Sequence, residues 1–173
     1  MKKLSKPYFL TRWMLASFIF LGSLAGLAHA TNIGDMVPAI ELPNESGDGV
    51  SLTKLRGKVV YLDFWASWCG PCRQSFPWMN EMQEKYGQQG LEVLAINLDG
   101  NLADAKKFLQ ENPAKFKTIY DTKAQTPKLL GVKGMPTSYL IDRQGRVVSV
   151  HVGFNPAKKS ELESELKRVL EKK

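Results

Sequence analysis

The sequence has few of the residues that bind metals or build disulfide scaffolds: two of its 173 residues are cysteine and two are histidine. Two cysteines make at most one disulfide, which excludes a small domain held together by several bridges. The sequence also contains no internal repeat and no long linker, and its composition is neither fibrous nor disordered. With 43% hydrophobic residues, a chain of this length is expected to form one domain with a sizeable core.

Acidic residues are absent from the first thirty positions, whereas four basic residues occur there: Lys2, Lys3, Lys6 and Arg12. An apolar stretch follows from Trp13 to Ala28, and the small-x-small triplet Ala28-His29-Ala30 ends it. A basic start, an apolar run and a cleavage site predict a secretory signal peptide over residues 1–30. The alternative is an uncleaved membrane anchor formed by residues 13–28, although this run is shorter than the ~20 residues that a span needs.

The formal net charge of +7 at first suggests binding to nucleic acid or to an anionic membrane. Four of the 24 basic residues but none of the 17 acidic residues lie in the predicted leader, so the net charge of the remaining chain is only +3. The remaining charges are interspersed, apart from pairs such as Lys106-Lys107 and Lys158-Lys159. We therefore expect a solvated surface of mixed charge and no nucleic-acid partner.

Residues 31–173 predict a single α/β domain with elements in the order βαβ, helix, then ββα. An irregular segment or small hairpin is expected before the first long strand, with Val50-Ser51-Leu52 extended. The strands predicted after it are Val59–Trp65, Leu91–Leu98, Thr118–Tyr120, Thr137–Asp142 and Arg146–Val152. The predicted helices run from the cysteines to about Gly87, from Leu102 to a stop at Asn112-Pro113, around Lys123–Leu130, and onward from Asn155-Pro156.

The two cysteines belong to the motif Trp68-Cys69-Gly70-Pro71-Cys72, which follows a predicted buried strand and begins a predicted helix. A helix N-terminus carries roughly half a positive charge and free N–H groups, which stabilise a thiolate. We therefore expect Cys69 to be an exposed nucleophile with a lowered pKa. Cys72 lies one turn later, where it can attack a mixed disulfide formed on Cys69, so the pair can cycle between dithiol and disulfide.

Three other interpretations of the cysteines are weaker. A structural disulfide that closes so short a loop adds little stability, because the gain grows with loop length. A zinc site needs four ligands, and beyond the leader the sequence offers only these two cysteines and His151. Inert core thiols are disfavoured because Gly70 and Pro71 are typical of a turn. The residues therefore favour redox chemistry.

The stretch from Asp63 to Cys72, DFWASWCGPC, resembles the active-site segment of thioredoxins almost residue for residue. Pro77 resembles the proline inside the thioredoxin helix, and Gly134-Met135-Pro136-Thr137 resembles the loop whose proline is cis in that fold. The leader, Leu55-Arg56-Gly57-Lys58 and Phe76-Pro77 resemble the exported TlpA/ResA/DsbE-like branch. The resemblance covers residues 33–170 and implies a thioredoxin fold: a central mixed β-sheet flanked by helices, with an N-terminal strand or hairpin extension.

Asp63 is either a solvent-facing group at a strand end or a buried carboxyl beneath the cysteines. The resemblance implies the second position, where burial raises its pKa and lets it take the proton from Cys72. Many exported relatives carry asparagine here and a glutamate three residues after the second cysteine. This chain has Asp63 and Ser75 instead, so the acid is expected at the thioredoxin position.

The resemblance also implies a substrate-binding surface around the cysteines, formed by Trp68, Gly70, Pro71, Met135 and Pro136. Pro136 is expected to present the backbone of Met135 to an extended substrate, which would pair with it as a short added strand. Trp68 is expected to form an apolar rim beside Cys69.

Three nearby or distant side chains receive weaker assignments. Trp65 is expected to be packed in the core. Arg73 either favours the Cys69 thiolate electrostatically or is an exposed charge. His151 lies far from the motif in sequence, and no function is expected for it.

The sequence thus predicts a periplasmic thiol–disulfide oxidoreductase that acts as a disulfide reductant. Its redox group would be the cysteine pair itself, with no cofactor and no metal, and a monomer is expected. The resemblance implies protein disulfides as substrates, such as apocytochrome c cysteines before haem attachment. It also implies a membrane electron donor of the DsbD/CcdA type, because a reductant in an oxidising compartment must be recharged.

Two other functions were weighed on the same residues. A peroxidase of the peroxiredoxin type would need proline and threonine where this chain has Leu62 and Ala66. The alternative from another class is a thioredoxin-like copper-binding or metallochaperone protein. Such proteins use a wider cysteine spacing and a distal histidine, and the only candidate here is His151.

Overall fold

The computed structural model describes residues 31–172. The predicted signal peptide, the alternative anchor over residues 13–28 and the final residue lie outside this part of the chain. Within it, no helix is both long and apolar enough to cross a membrane.

Residues 31–172 contain seven strands, which we number in chain order. They are β1 (Glu41–Pro43), β2 (Gly49–Ser51), β3 (Val59–Trp65), β4 (Leu91–Asn97), β5 (Lys117–Tyr120), β6 (Thr137–Ile141) and β7 (Val147–Val152). The first two form an antiparallel hairpin, which confirms the expected N-terminal extension. The other five form one mixed sheet in the order β5-β4-β3-β6-β7.

The directions of the strands determine at which edge of the sheet the cysteine motif lies. Strands β3, β4 and β5 are parallel to one another, whereas β6 is antiparallel to β3 and β7 is antiparallel to β6. Both β3 and β4 are buried along their whole length, because they lie in the middle of the sheet with both faces covered. Functional groups in such sheets gather at the carboxyl ends of the parallel strands, and here the cysteine motif follows β3.

Four α-helices cover the sheet in the described residues: α1 (Gly70–Tyr86), α2 (Leu102–Glu111), α3 (Thr126–Leu130) and α4 (Lys159–Glu171). Asn101 caps α2, since its side chain accepts a hydrogen bond from the N–H of Ala103. Gly131 ends α3 in the left-handed conformation, with φ 76°, which glycine adopts without strain.

An aromatic cluster joins α1 and α2 to one face of the sheet. Trp65 lies 5.0 Å from Phe76 and 4.9 Å from Phe108 between ring centroids, and Phe76 lies 5.2 Å from Phe116. Such pairs stabilise a core by ~0.5–1.5 kcal/mol each beyond their burial. Trp65 is fully buried, so its expected packing role is confirmed, and the strand that leads to the cysteines is firmly held.

Several predicted strand ends were off by one residue, and three other boundaries were also wrong. Leu52 belongs to a 3-10 turn, Leu52–Leu55, rather than to an extended segment. α3 begins at Thr126 rather than near Lys123, because the carboxylate of Asp121 accepts hydrogen bonds from the N–H and hydroxyl of Thr126. A 3-10 turn, Pro156–Lys158, precedes α4, whose regular turns begin only at Lys159.

Glu92 on β4 forms a buried charge clamp across the sheet. Its carboxylate lies 2.7 Å from the ammonium of Lys58 and 2.7 Å from that of Lys117, and its side chain is only 8% exposed. Burial alone would raise the pKa of Glu92, but the hydrogen bonds from Lys117 and Lys58 outweigh it and hold the pKa below its usual value. The clamp therefore stabilises the ionised carboxylate of the folded chain.

Glu92→Gln is expected to lower the free energy of unfolding by about 1–2 kcal/mol at pH 7, discounted because both lysines are half-exposed. A depressed folded-state pKa stabilises the fold above the ordinary glutamate pKa of about 4.3, and this stability is lost as the pH falls through the folded value. The difference measured by urea unfolding should therefore be larger at pH 7 than at pH 3. Glu81→Gln, which breaks an exposed pair with Lys85, is the matched control and should cost under about 0.5 kcal/mol.

Candidate functional site

The cysteines lie where β3 passes into α1. Cys69 is the N-cap residue of α1, and it is joined to Cys72 by a disulfide with 5.3 Å between the two Cα atoms. Cys69 is 4% exposed and Cys72 is fully buried. The expectation of an exposed Cys69 was therefore wrong for the disulfide form, because the sulfur packs into the same core as Trp65 and Phe76. Cys69 is nevertheless the more accessible of the two.

The start of α1 offers an unopposed positive helix end. Cys69 makes no side-chain cap, no acidic residue lies in the first turn, and proline occupies the second helical position. No carboxylate or side-chain oxygen therefore competes for the N–H groups of the first turn, where Pro71 has no N–H and Cys72 donates to the carbonyl of Cys69 at 3.2 Å. A helix end of this kind stabilises thiolates in general, and the lowered pKa expected for Cys69 in the reduced protein stays a prediction.

Asp63 is a buried carboxyl on the same face of β3 as the cysteine core. It is 2% exposed, and its neighbours Tyr61 and Trp65 at alternate positions pack into the cluster that holds both cysteines. Across the sheet its register partners are Ala95 on β4 and Ser138 on β6, so neither neighbouring strand places a cation beside it. Burial raises the pKa of Asp63 well above its ordinary value.

The groups around Asp63 reinforce its neutral form. Its Oδ2 atom is buried and has no hydrogen-bond partner within the described residues. The nearby Tyr61 hydroxyl donates to Ser138 Oγ at 2.7 Å, and burial, with a contribution from the Asp63 charge, raises the pKa of Tyr61. Ser75, where many relatives carry glutamate, is buried and donates to the backbone oxygen of Cys72 at 3.0 Å. The buried carboxyl thus lies at position 63 and not at position 75, while its part in catalysis stays a prediction.

The loop before β6 forms the second wall of the site. The peptide bond between Met135 and Pro136 is cis, as the resemblance implied. Because Phe64 pairs with Thr137, Pro136 lies beside the carboxyl end of β3, from which the chain continues to Cys69. The carbonyl of Pro136 accepts from the N–H of Gly153 at 2.7 Å, and the loop is closed by Thr137 Oγ1, which donates to Gly134 O at 2.7 Å.

A family model described as Redoxin matches residues 32–170. This chain belongs to the Redoxin family. A thiol-disulfide oxidoreductase ResA from Bacillus thuringiensis (strain Al Hakam) is 35% identical over 137 residues, which cover 79% of this chain and 78% of the relative. The same enzyme name is carried by a Bacillus subtilis (strain 168) protein that is 32% identical over 120 residues, 69% of this chain and 67% of that protein.

Solved structures agree with these relatives. A crystal structure from Chlorobium tepidum, assigned as the thiol:disulfide interchange protein DsbE, is 56% identical, covers 82% of this chain and 99% of its own, and has a TM-score of 0.79. An exposed lipoprotein thioredoxin from Streptococcus pneumoniae strain TIGR4 is 31% identical over 76% of this chain and 99% of its own, with a TM-score of 0.67. This redoxin is thus a TlpA/ResA/DsbE-like thiol–disulfide oxidoreductase with the thioredoxin fold.

The predicted substrate-binding residues of this redoxin surround the disulfide. Trp68 is 71% exposed, Gly70 and Pro71 are exposed, Met135 is half-buried and Pro136 is buried. Their placement suits a rim around a nearly buried disulfide, while their part in binding stays a prediction. Within residues 31–172 no hydrogen bond is formed by the backbone of Met135, so its N–H and C=O are open to a substrate strand.

The structure also places the other two side chains with weaker assignments: Arg73 is exposed, which was one of its two alternatives, and His151 lies on the last strand as expected. Arg73 stacks over the Phe108 ring at 4.9 Å and pairs with Glu111 at 3.6 Å, so it belongs to the contact between α1 and α2. His151 pairs with Ser138 across β6 and β7, and Ser138 pairs with Asp63. His151 is therefore only two strands from Asp63, although its ring faces Glu165 at 2.9 Å.

The sequence analysis missed a group of buried polar residues beside the redoxin motif. Asn97 and Asp99, at the carboxyl end of β4, are fully or almost fully buried, and Asp99 contacts Ser67 in the motif itself. The available signal was Asp99-Gly100 directly after a buried parallel strand, at the edge of the sheet where functional groups gather. Among residues 31–172 no group of three or more histidine, cysteine or acidic side chains is placed to hold a metal.

Proposed function

We propose that this redoxin is an exported disulfide reductant that acts through Cys69 and Cys72, with Asp63 as its acid–base group. The observation that carries the proposal is the buried Asp63 on the same core face as a disulfide that begins α1. A helix N-terminus favours attack by the first cysteine, and a buried carboxyl suits proton exchange with the second.

In the proposed reaction the reactive form of the reduced protein has a Cys69 thiolate, a Cys72 thiol and an ionised Asp63, which has first released its proton to solvent. The thiolate attacks one sulfur of a substrate disulfide, a mixed disulfide forms on Cys69, and one substrate thiolate leaves. Cys72 then gives its proton to the Asp63 carboxylate and attacks the sulfur of Cys69. The Cys69–Cys72 disulfide forms, the second substrate thiolate leaves, and two electrons have passed to the substrate. The proton held by Asp63 is returned to a released thiolate or to water.

The backbone of Met135 is proposed to align the substrate for this attack. Its free N–H and C=O are suited to pair with an extended chain that crosses the rim between Pro136 and Trp68. The same pairing requires no particular side chain, so the substrate class is an extended segment that contains a disulfide. Apocytochrome c cysteines fit this class.

Export and recharging complete the proposal. The basic, apolar and small-residue pattern over residues 1–30 supports secretion to the periplasm. In that compartment the oxidised protein needs a membrane dithiol donor of the DsbD/CcdA type, because an oxidising environment does not reduce the Cys69–Cys72 disulfide. The names ResA and DsbE of its relatives are consistent with this setting.

The direction of the reaction is tested by the redox potential of residues 31–173, measured from Trp fluorescence or thiol alkylation against glutathione buffers. Gly-Pro between the cysteines predicts a value near thioredoxin's, about −270 mV, rather than near the ~−120 mV of the oxidant DsbA. A value more positive than about −180 mV would make the protein an oxidant or isomerase and contradict the reductant assignment. The double variant Cys69→Ser/Cys72→Ser, which has no thiol, is the control and should show no transition.

A further inference from the structure

The loop that carries Cys69 from β3 to α1 has little regular structure of its own. Its backbone is held by one turn hydrogen bond, from the N–H of Cys69 to the carbonyl of Ala66 at 3.0 Å. Trp68, the largest side chain of the loop, is 71% exposed and so contributes little packing. Another group must fix the position of the loop relative to the sheet.

Asp99 is that group. Its Oδ2 atom accepts a hydrogen bond from the backbone N–H of Ser67 at 2.9 Å, and its Oδ1 atom accepts one from the Ser67 hydroxyl at 2.9 Å. Both oxygens of one carboxylate therefore hold the residue two positions before Cys69. Hydrogen bonds to an ionised group are roughly twice as strong as neutral ones, and Asp99 is only 3% exposed.

Asn97 fixes the carboxylate in turn. Its Nδ2 donates to Asp99 Oδ2 at 2.8 Å, and its Oδ1 accepts from the Asp99 N–H at 3.1 Å. Asn97 is fully buried at the end of β4, where it pairs in register with Trp65. The Asp99 carboxylate thus receives three donors. An asparagine could keep three contacts only as weaker neutral hydrogen bonds, by donating its own N–H to Ser67 Oγ.

We propose that Asp99 is a positioning residue for Cys69, which holds the sulfur against the N-terminus of α1 through Ser67. This inference rests on the proposed function only in taking Cys69 as the nucleophile. The attraction of a helix N-terminus falls off within the first turn, so a loop that shifts weakens the stabilisation of the thiolate. Ser67 and Asp99 therefore tune reactivity without touching the substrate or the sulfurs.

The test is the rate of Cys69 alkylation by iodoacetamide, measured against pH in a Cys72→Ser background so that one thiol reacts. Ser67→Ala removes one of the two contacts, and Asp99→Asn replaces both charge-assisted contacts by weaker neutral ones. We therefore expect about threefold and about tenfold slower alkylation near pH 6.5, from a raised thiol pKa. Ser67→Thr keeps the hydroxyl, so its alkylation rate should match that of the protein with Ser67. All rates are compared well below the unfolding transition of each variant.

The sign of the effect separates positioning from charge. Loss of a negative charge near Cys69 by itself would lower the thiol pKa and speed alkylation. Asp104→Asn removes an exposed carboxylate that lines the same groove as Ser67 and Trp68, so it controls for charge and should leave the rate unchanged or raise it. An equal or faster rate in Asp99→Asn would overturn the proposal.

A second control separates positioning from general loss of stability. Asp121 is as buried as Asp99, and its carboxylate likewise holds a backbone N–H and a hydroxyl, those of Thr126. Asp121→Asn should destabilise the fold comparably but leave Cys69 alkylation unchanged. If it slows alkylation as much as Asp99→Asn does, the role of Asp99 is merely structural. Should Asp99→Asn fail to fold, an unchanged rate in Ser67→Ala overturns the proposal by itself.

The alkylation readout is independent of the physiological substrate and of the direction of electron flow. A protein that proves to be an oxidant would contradict the proposed function and leave the Asp99 result standing. If the Asp99 and Ser67 variants alkylate at the unsubstituted rate while the protein has a strongly reducing potential, the positioning role of Asp99 is overturned and the proposed function stands.

Discussion

Cys69→Ser is expected to abolish disulfide reduction, with a loss of about a thousandfold or more in the rate of insulin reduction under dithiol supply. A serine hydroxyl does not ionise near neutral pH, and it cannot form a mixed disulfide, so neither half of the exchange remains. The substitution replaces one sulfur atom by oxygen at the N-cap of α1, where serine is itself a favoured residue. The fold should therefore survive, as circular dichroism would show.

Cys72→Ser is the matched variant, because it changes the same atom three residues later. Cys69 can still attack, but nothing resolves the mixed disulfide, so covalent complexes with substrate proteins should accumulate on non-reducing gels. Reduction should stop after one turnover. Wild-type activity in Cys69→Ser would show that neither assigned role holds. Trapping of substrates by Cys69→Ser instead of by Cys72→Ser would show that the roles of the two cysteines are reversed.

Asp63→Asn is expected to stabilise the oxidised protein at neutral pH by about 2 kcal/mol or more. Burial raises the folded-state pKa of Asp63, so the folded chain keeps this proton at pH values where the unfolded chain has released it. Stability therefore falls as the pH rises from about 3.9, the ordinary aspartate pKa, to the raised folded value, and stays low above it. Asparagine has the same shape without the charge, so this loss should disappear.

The same substitution is expected to slow the resolution of the mixed disulfide by about a hundredfold near pH 7, the low end of what a general base contributes. The difference in rate between Asp63→Asn and the unsubstituted protein should become smaller at high pH, where Cys72 loses its proton directly to solvent. Stopped-flow exchange with a disulfide peptide from pH 5 to 10 measures it, and Asp104→Asn serves as the exposed-carboxylate control. A pH–rate profile identical to that of the unsubstituted protein would remove Asp63 from the mechanism, whatever its effect on stability.

Local patterns predicted most of the elements that build the site. The run Val59–Trp65 is apolar apart from Asp63, and such a run is typical of a strand buried on both faces. β3 has these bounds. Gly70 and Pro71 between the cysteines predicted the turn into α1, since proline suits the first turn of a helix. The ends of α3 and α4 were less accurate, because they depend on capping by Asp121 and on a 3-10 turn, Pro156–Lys158.

By itself, the sequence determined the chemistry: two cysteines at a helix start, a nearby aspartate and a proline loop are local facts that no tertiary contact alters. Only the tertiary structure decided whether Asp63 faces solvent or core, because its neighbours in the sequence are apolar on both faces of the strand and do not reveal which residues of other strands flank it. The register places Ala95 and Ser138 beside it. The tertiary structure also decided that Asp99, 32 residues beyond Ser67, holds the loop of Cys69. Hydrogen bonds between the ends of parallel strands join residues that are distant in the chain, so no periodicity records them.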